Sequence, residues 1–230
     1  MNICVIPARG GSKRIPRKNI KEFCGKPMIS YPITAALKSG LFGKVIVSTD
    51  DEEIADMARS FGAEIGELRP KNLSDDYVST DDVMAYEAKK LMDKEPELDV
   101  LCCLYATAPF VREEFLVEGL KLFYQNDWDF VFAATTFPST IFRSFWKTSL
   151  GGVKMFWPEF YNSRSQDLPV AFHDAGQFYF GKPSSFIAKK PSFTEKSSFV
   201  EIPRYLVQDI DTPEDWIRAE AMYKTLSEGV

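Results

Sequence analysis

The basic residues Arg9, Lys13, Arg14, Arg17, Lys18, Lys21 and Lys26 fall in one short stretch, opposed there only by Glu22, in a chain of 230 residues whose formal net charge is −5. An acidic protein with one concentrated basic loop suits a small polyanion better than a nucleic acid. The alternative is an ordinary solvated basic loop. The centre of the stretch reads Pro7-Ala8-Arg9-Gly10-Gly11-Ser12-Lys13-Arg14-Ile15-Pro16-Arg17-Lys18-Asn19. Gly10 and Gly11 permit a tight turn that brings backbone N–H groups close to an anion. Arg9, Lys13 and Lys18 could neutralise a triphosphate, arginine as a two-pronged donor and lysine as a point charge. The spacing is neither GxGxxG nor GxxxxGK[ST], which excludes the dinucleotide and Walker loops. Near the other end stands Asp209-Ile210-Asp211. Along an extended segment, alternate residues share a face, so the two carboxylates point the same way. A competing role for Asp211 or Thr212 is to cap the last helix, with Pro213 and Glu214 in its first turn.

These groups need a scaffold. Compact apolar runs at Asn2–Pro7, Lys44–Ser48, Asp99–Tyr105 and Asp129–Ala134 predict strands of a parallel sheet covered on both faces. Helical spacing occupies Pro27–Ser39, a segment capped by Thr49 or Asp50 and running to Phe61, one opened by Ser79 or Thr80 and running to Lys94, Arg112–Gln125, and Thr212–Leu226. Strand and helix alternate at the length of βαβ units, which predicts an α/β fold with a doubly wound, mostly parallel sheet. The basic loop follows the first strand directly, where open α/β sheets bind ligands. Between residues 137 and 172 the alternation breaks. That stretch holds Phe142, Phe145, Trp146, Phe156, Trp157, Phe160 and Tyr161 and predicts an aromatic-rich β arm that either closes over the cleft or packs on a second subunit, the dimer being favoured. Ser184–Ile202 reads as irregular. The chain is otherwise one domain, 1–230, with the arm inserted.

No apolar run reaches the roughly 20 residues that span a membrane, and the first strand lacks preceding basic residues, unlike a signal peptide; a cytoplasmic location is expected. Cys4, Cys24, Cys102 and Cys103 form no CxxC pair and His173 is the lone histidine, so a structural zinc site is not expected. Three of the thiols sit in strand-like runs and read as small buried hydrophobes.

The stretch IPARGGSKRIPRKNI resembles the signature loop of the CMP-sugar-acid synthetases, the cytidylyltransferases of sialic, pseudaminic and Kdo acids. GKPMI, VSTDDEEIA, Leu68-Arg69-Pro70, Tyr105-Ala106-Thr107-Ala108-Pro109 and Asp209-Ile210-Asp211-Thr212-Pro213-Glu214-Asp215 follow in the same order. The resemblance implies a Rossmann-like nucleotidyltransferase fold and transfer of CMP from CTP to the anomeric hydroxyl of an acidic nine-carbon sugar, with release of pyrophosphate. YATAPF and the segment His173-Asp174-Ala175-Gly176-Gln177-Phe178-Tyr179 are most similar to the pseudaminic acid branch; N-acetylneuraminic and legionaminic acids are the alternatives. By the same resemblance, Ala8, Arg9, Gly11, Ser12, Lys13, Lys18 and Asn19 contact the nucleotide, Arg9 and Lys18 act at the reacting phosphates, and Arg69 and Ser79 lie around cytosine and ribose. It also implies Mg²⁺ on Asp209 and Asp211, with Asp211 catalytic, and sugar contacts from Tyr105, Thr107, Gln177 and Tyr179. Arg164, in the arm, would reach a neighbouring subunit's site in a homodimer. Other roles stay open: an ion pair for Arg69, core packing for Tyr179, and a satisfied or exposed ring for His173. Two other function classes remain. A nucleotide-sugar-dependent glycosyltransferase could use Asp209-Ile210-Asp211 as its DxD motif, and a nucleotide sensor would bind CTP without turnover.

Overall fold

A computed structural model describes residues 1–75 and 77–227. In chain order the elements are β1 (Asn2–Pro7), the two-residue strands β2 (Glu22–Phe23) and β3 (Lys26–Pro27), α1 (Ser30–Ser39), β4 (Lys44–Ser48), α2 (Glu52–Ser60), α3 (Thr80–Lys94), β5 (Val100–Leu104), α4 (Glu113–Phe123) and β6 (Phe130–Thr136). Then come β7 (Phe145–Lys147), β8 (Val153–Met155), β9 (Phe172–Gly181), α5 (Pro183–Ile187), β10 (Ser197–Glu201) and α6 (Pro213–Ser227).

Six strands make the central sheet in the order β10-β6-β9-β5-β1-β4. β1 runs parallel to β4 and β5, and β10 parallel to β6. β9 alone is antiparallel, inserted between β5 and β6. Side chains alternate across this sheet, so each strand supplies two cores. Cys4, Ile6 and Cys102 face α1, α2, α4 and α6, whereas Ile3, Val5, Leu101 and Cys103 face α3 and α5. That is the doubly wound, mostly parallel α/β fold expected of the alternating pattern. The buried thiols of Cys102 and Cys103 are pushed well above the usual range, chiefly by burial, as suits inert core residues.

Three local expectations need correction. Ser184–Ile202 is not irregular: it holds the end of α5 and all of β10. Ser198, Phe199 and Val200 alternate too briefly to signal a strand on their own, and β10 is fixed by parallel pairing to β6. The first helix begins at Ser30, because residues 26–27 pair with β2 instead. The second is capped by Asp51, whose carboxylate accepts from Ile54 N, rather than by Thr49 or Asp50.

The arm forms the β7–β8 hairpin flanked by 3₁₀ turns. Phe142 packs edge-on against Trp157 and Phe160, and Trp146 lies tilted against Phe156, yet Phe145, Phe156 and Tyr161 remain more than half exposed.

Gly119 shows how tightly the layers fit. α4 lies so close to β9 that a Cβ there would sit 2.9 Å from both the Phe178 and Phe180 rings. Replacing Gly119 with alanine should cost about 1–3 kcal/mol, as overpacking does, and chemical denaturation would measure it. A neutral or stabilising result would contradict this packing.

Candidate functional site

The carboxyl ends of β1 and β5 open onto a cavity of 630 Å³. Here the direction of the connections reverses, since β1 leads to β4 on one side and the chain then crosses from β4 to β5 on the other side of β1, and such switch points leave a crevice. Three sequence segments far apart in the chain converge on it.

The first is the basic loop. Arg9, Ser12, Lys13, Arg14, Lys18 and Asn19 all line the cavity. Asn19 is buried and its Nδ2 donates to Arg9 O at 2.9 Å, closing the loop on itself. The glycines act differently from the simple anion-nest expectation. Gly10 N–H donates to Asp50 Oδ1 at 3.0 Å, so that donor is already engaged by protein. Ala8 is buried, its N–H bonded to Ser48 O, and neither Ala8 nor Gly11 is among the lining residues.

The second segment is the extended run before α6. Asp209 and Asp211 both line the cavity. Lys18 joins this segment to the loop: its Nζ donates to Ile210 O at 2.6 Å and lies 3.5 Å from Asp211 Oδ1. Arg14 adds an ion pair to the same Asp211 oxygen at 3.0 Å. Thr212 performs the capping role, with Asp215 N–H donating to its Oγ1 and Thr212 N–H donating to the Asp215 carboxylate. Capping therefore falls to Thr212 and leaves both aspartates to the cavity. Asp209 is exposed where it lines the cavity, yet its carboxyl is partly desolvated. That partial desolvation first, and then the charge of Asp211, raise its pKa above the usual carboxylate range.

The third segment lies opposite. Arg69 is 5% exposed, which rules out a surface ion pair. Its guanidinium donates to Ser48 O and Ser74 Oγ and sits 3.9 Å from Asp50. Burial pulls its pKa down, opposed by the charges of Asp50 and of Glu87; Glu87 is itself buried and accepts from Ser48 Oγ. Ser79 lines the cavity while capping α3 in a reciprocal box with Asp82. Tyr105 and Thr107 complete the wall.

A second cavity of 330 Å³ adjoins the first, sharing Thr80 and Tyr105 with it. Tyr179 and Asp174 lie there beside Met84, Phe186 and Phe193. The Tyr179 hydroxyl donates to Asp174. Burial, first among the causes, holds the Tyr105 and Tyr179 hydroxyls protonated far above their ordinary range.

Two expected sugar contacts are elsewhere. Gln177 is buried, with its Nε2 donating to Leu206 O at 2.7 Å, and it lines neither cavity. The register of β9 against β6 shifts between Tyr179 and Asp174, with Gly176 at φ 62° inside the shift, so simple alternation is broken there: Gln177 reaches Leu206 O while Asp174 and Tyr179 line the second cavity. Arg164 is exposed and paired with Asp167 in the arm, and no residue of 137–172 lines the first cavity; the arm does not close over its own cleft. His173 bonds Asp174 O and packs on Phe137, a satisfied ring. Sequence reasoning gave no site role to Glu87 or Asp174 and considered Asp50 only as a helix cap. Glu87 could have been suspected as a charge on the apolar face of α3, whereas Asp50 depends on which strand end meets the loop.

The two carboxylates suit a cation such as Mg²⁺. It is usually held by one or two carboxylates together with substrate phosphates and water, and no cluster of three or more His, Cys, Asp or Glu able to hold a metal occurs among the described residues.

If Asp211 contributes to the raised pKa of Asp209, Asp211→Asn should lower it. Carboxylate carbon NMR titration would detect the shift, and an unmoved titration would contradict the coupling.

The chain is 48% identical over 223 residues to a Campylobacter jejuni protein called pseudaminic acid cytidylyltransferase, covering 97% of this chain and 96% of the relative. It is 30% identical to the CMP-N,N'-diacetyllegionaminic acid synthase of Legionella pneumophila, covering 99% and 98%. In fold it is similar to a CMP:2-keto-3-deoxy-manno-octonic acid synthetase solved with CTP, at a TM-score of 0.71 and 18% identity over 98% of this chain and 99% of that one. The family model described as Cytidylyltransferase matches residues 3–218, and the chain belongs to that family.

Proposed function

We propose that this enzyme transfers CMP from CTP to the anomeric hydroxyl of pseudaminic acid and releases pyrophosphate. The observation that carries the reading is the meeting of the basic loop with Asp209 and Asp211 at one cavity, tied by Lys18. The 48% identity to the Campylobacter protein supports the choice of sugar; the legionaminic and N-acylneuraminate relatives are more distant, at 30% and 35% identity.

Attack by the sugar oxygen forms a bond at the α-phosphorus and breaks the bond to the pyrophosphate oxygen. Such a displacement needs alignment and charge neutralisation more than covalent help from protein. Arg9, Lys13 and Lys18 supply cations around the triphosphate, with Lys18 nearest the reacting phosphorus. The side chain of Ser12 meets the triphosphate in the cavity, Asn19 holds the loop's shape through Arg9 O, and Ala8 and Gly11 would act by shaping the loop rather than by contact. Arg69 and Ser79 hold the nucleoside end. Asp209 and Asp211 would hold Mg²⁺, which when bound supplies Lewis acidity and neutralises phosphate charge. The sugar extends past Tyr105 and Thr107 into the second cavity, where the protonated Tyr179 hydroxyl and apolar walls suit amide and methyl groups. The buried Gln177 would act there by supporting β9 rather than by contact.

The glycosyltransferase alternative is less well supported, because Asp209 and Asp211 precede the final helix rather than ending a middle strand. A sensor without turnover would leave the loop's cations and the aspartates without a chemical use.

Pyrophosphate release measured with CTP, Mg²⁺ and separate pseudaminic, legionaminic, N-acetylneuraminic and Kdo acids should favour pseudaminic acid. Turnover of none of them would sink the assignment. Asp211→Ala should lower turnover at least about 100-fold, the scale of a lost electrostatic contact to a transition state, while leaving Tm within a few degrees. An active variant would remove the metal role.

We also propose a homodimer through the arm, supported by the exposure of Phe145, Phe156 and Tyr161, with Arg164 directed toward the partner's cleft. Light scattering should read twice the chain mass. Phe145→Glu should halve it, and a wild-type monomer would refute the arm's role.

A further inference from the structure

Arg17 is in the basic loop but does not line the cavity. It is one of three non-glycine residues among those described with positive φ, at 56°. A side chain in the left-handed region costs free energy and persists where its surroundings over-determine it.

Here the surroundings do so. The Arg17 guanidinium grips Asp51 with both prongs, Nη1 to Oδ2 at 2.6 Å and Nη2 to Oδ1 at 2.9 Å, and adds Glu53. Asp51 is fixed in turn, since its Oδ1 accepts from Ile54 N at the start of α2. The other end of the loop meets the same residue. Gly10 passes so close that a Cβ there would lie 2.6 Å from Asp51 Oδ2, and Gly10 N–H donates to the adjacent Asp50. The loop leaves the sheet at Gly10 and is caught again at Arg17. Ser12, Lys13 and Arg14, which line the cavity, project between these two anchors.

We infer that Arg17 is a positioning residue, whose fork on Asp51 draws the neck of the loop shut and presets the phosphate-binding cations before CTP arrives. This deepens the reading of the cavity as a CTP site and rests on it. Preorganisation of this kind lowers the ordering cost of binding, so its loss should appear in nucleotide affinity. Glu53 reinforces the fork from an exposed position, where an ion pair contributes little. Arginine is required at Arg17 because lysine offers a single charge where two parallel donors are used.

The test uses the full chain and the variants Arg17→Ala, Arg17→Lys, Asp51→Asn and Arg17→Ala combined with Asp51→Asn. Asparagine caps a helix as well as aspartate, so Asp51→Asn weakens the fork without uncapping α2. Hydrogen exchange of the amides of residues 10–19, measured without ligand, should speed up in all four variants. Calorimetry should show CTP Kd raised about tenfold by Arg17→Ala, which is the loss of one charge-assisted contact, and less by Arg17→Lys. KM for CTP should follow Kd while kcat stays within about twofold. The double variant should be no worse than Arg17→Ala, because both changes break the same fork. Unchanged loop exchange in Arg17→Ala, or effects of the two single changes that simply add, would overturn the inference. Wild-type protein that binds no CTP would instead sink the functional reading, and loop exchange would still judge the clamp.

Discussion

The ammonium group of Lys18 ties the loop after β1 to the aspartate segment before α6. Lys18 Nζ bonds Ile210 O and approaches Asp211 across a separation of 192 residues in sequence. Around this contact the polar groups of the cavity arrange themselves. The loop after β1 brings cations, the segment before α6 brings carboxylates, and each partly neutralises the other in the free protein. Desolvation first, and then the neighbouring charge of Asp211, push the pKa of Asp209 up; Lys18 offsets part of that cost, and Arg14 pairs with Asp211. A metal–triphosphate complex brings both signs of charge at once, so it can replace these internal pairings without leaving either set of groups unmatched.

The fold serves that contact by stiffness. β1 lies within the sheet between β4 and β5, and its side chains belong to both cores. The loop therefore starts from a strand that cannot shift without disturbing packing on both faces. α2 provides a second fixed point through Asp51, and α6, begun by Thr212 and Asp215, sets the direction of the aspartate segment. Buried Arg69 and Glu87 tie the end of β4 to α3 on the opposite wall. The cavity's polar side chains thus stand on elements held by the core.

Much of this arrangement could be read from residue order. The runs at Asn2–Pro7 and Lys44–Ser48 became strands with those bounds, because continuous apolar runs suit a sheet buried on both sides. The loop and Asp209-Ile210-Asp211 reached one cavity because each follows or precedes an element whose end faces the same way. What the sequence concealed depended on contacts between distant segments. β10 is held by β6, β9 intrudes antiparallel between β5 and β6, and a register shift in β9 around Gly176 separates Gln177 from Asp174 and Tyr179, which reach a cavity. The tight turn expected at Gly10 has a further physical reason in the fold. Gly10 is small because Asp51 lies against it, a closeness that no local pattern encodes.

The central claim is that one triphosphate spans the basic loop and the two late aspartates. Crystals grown with Mn²⁺ and a CTP analogue that cannot be cleaved at the α-phosphorus would test it directly through the anomalous scattering of manganese. The account predicts one or more peaks at coordination distance from Asp209 and Asp211 and from phosphate oxygens lying over Lys18. Manganese peaks confined to other carboxylates, or an analogue seated away from the loop after β1, would contradict it.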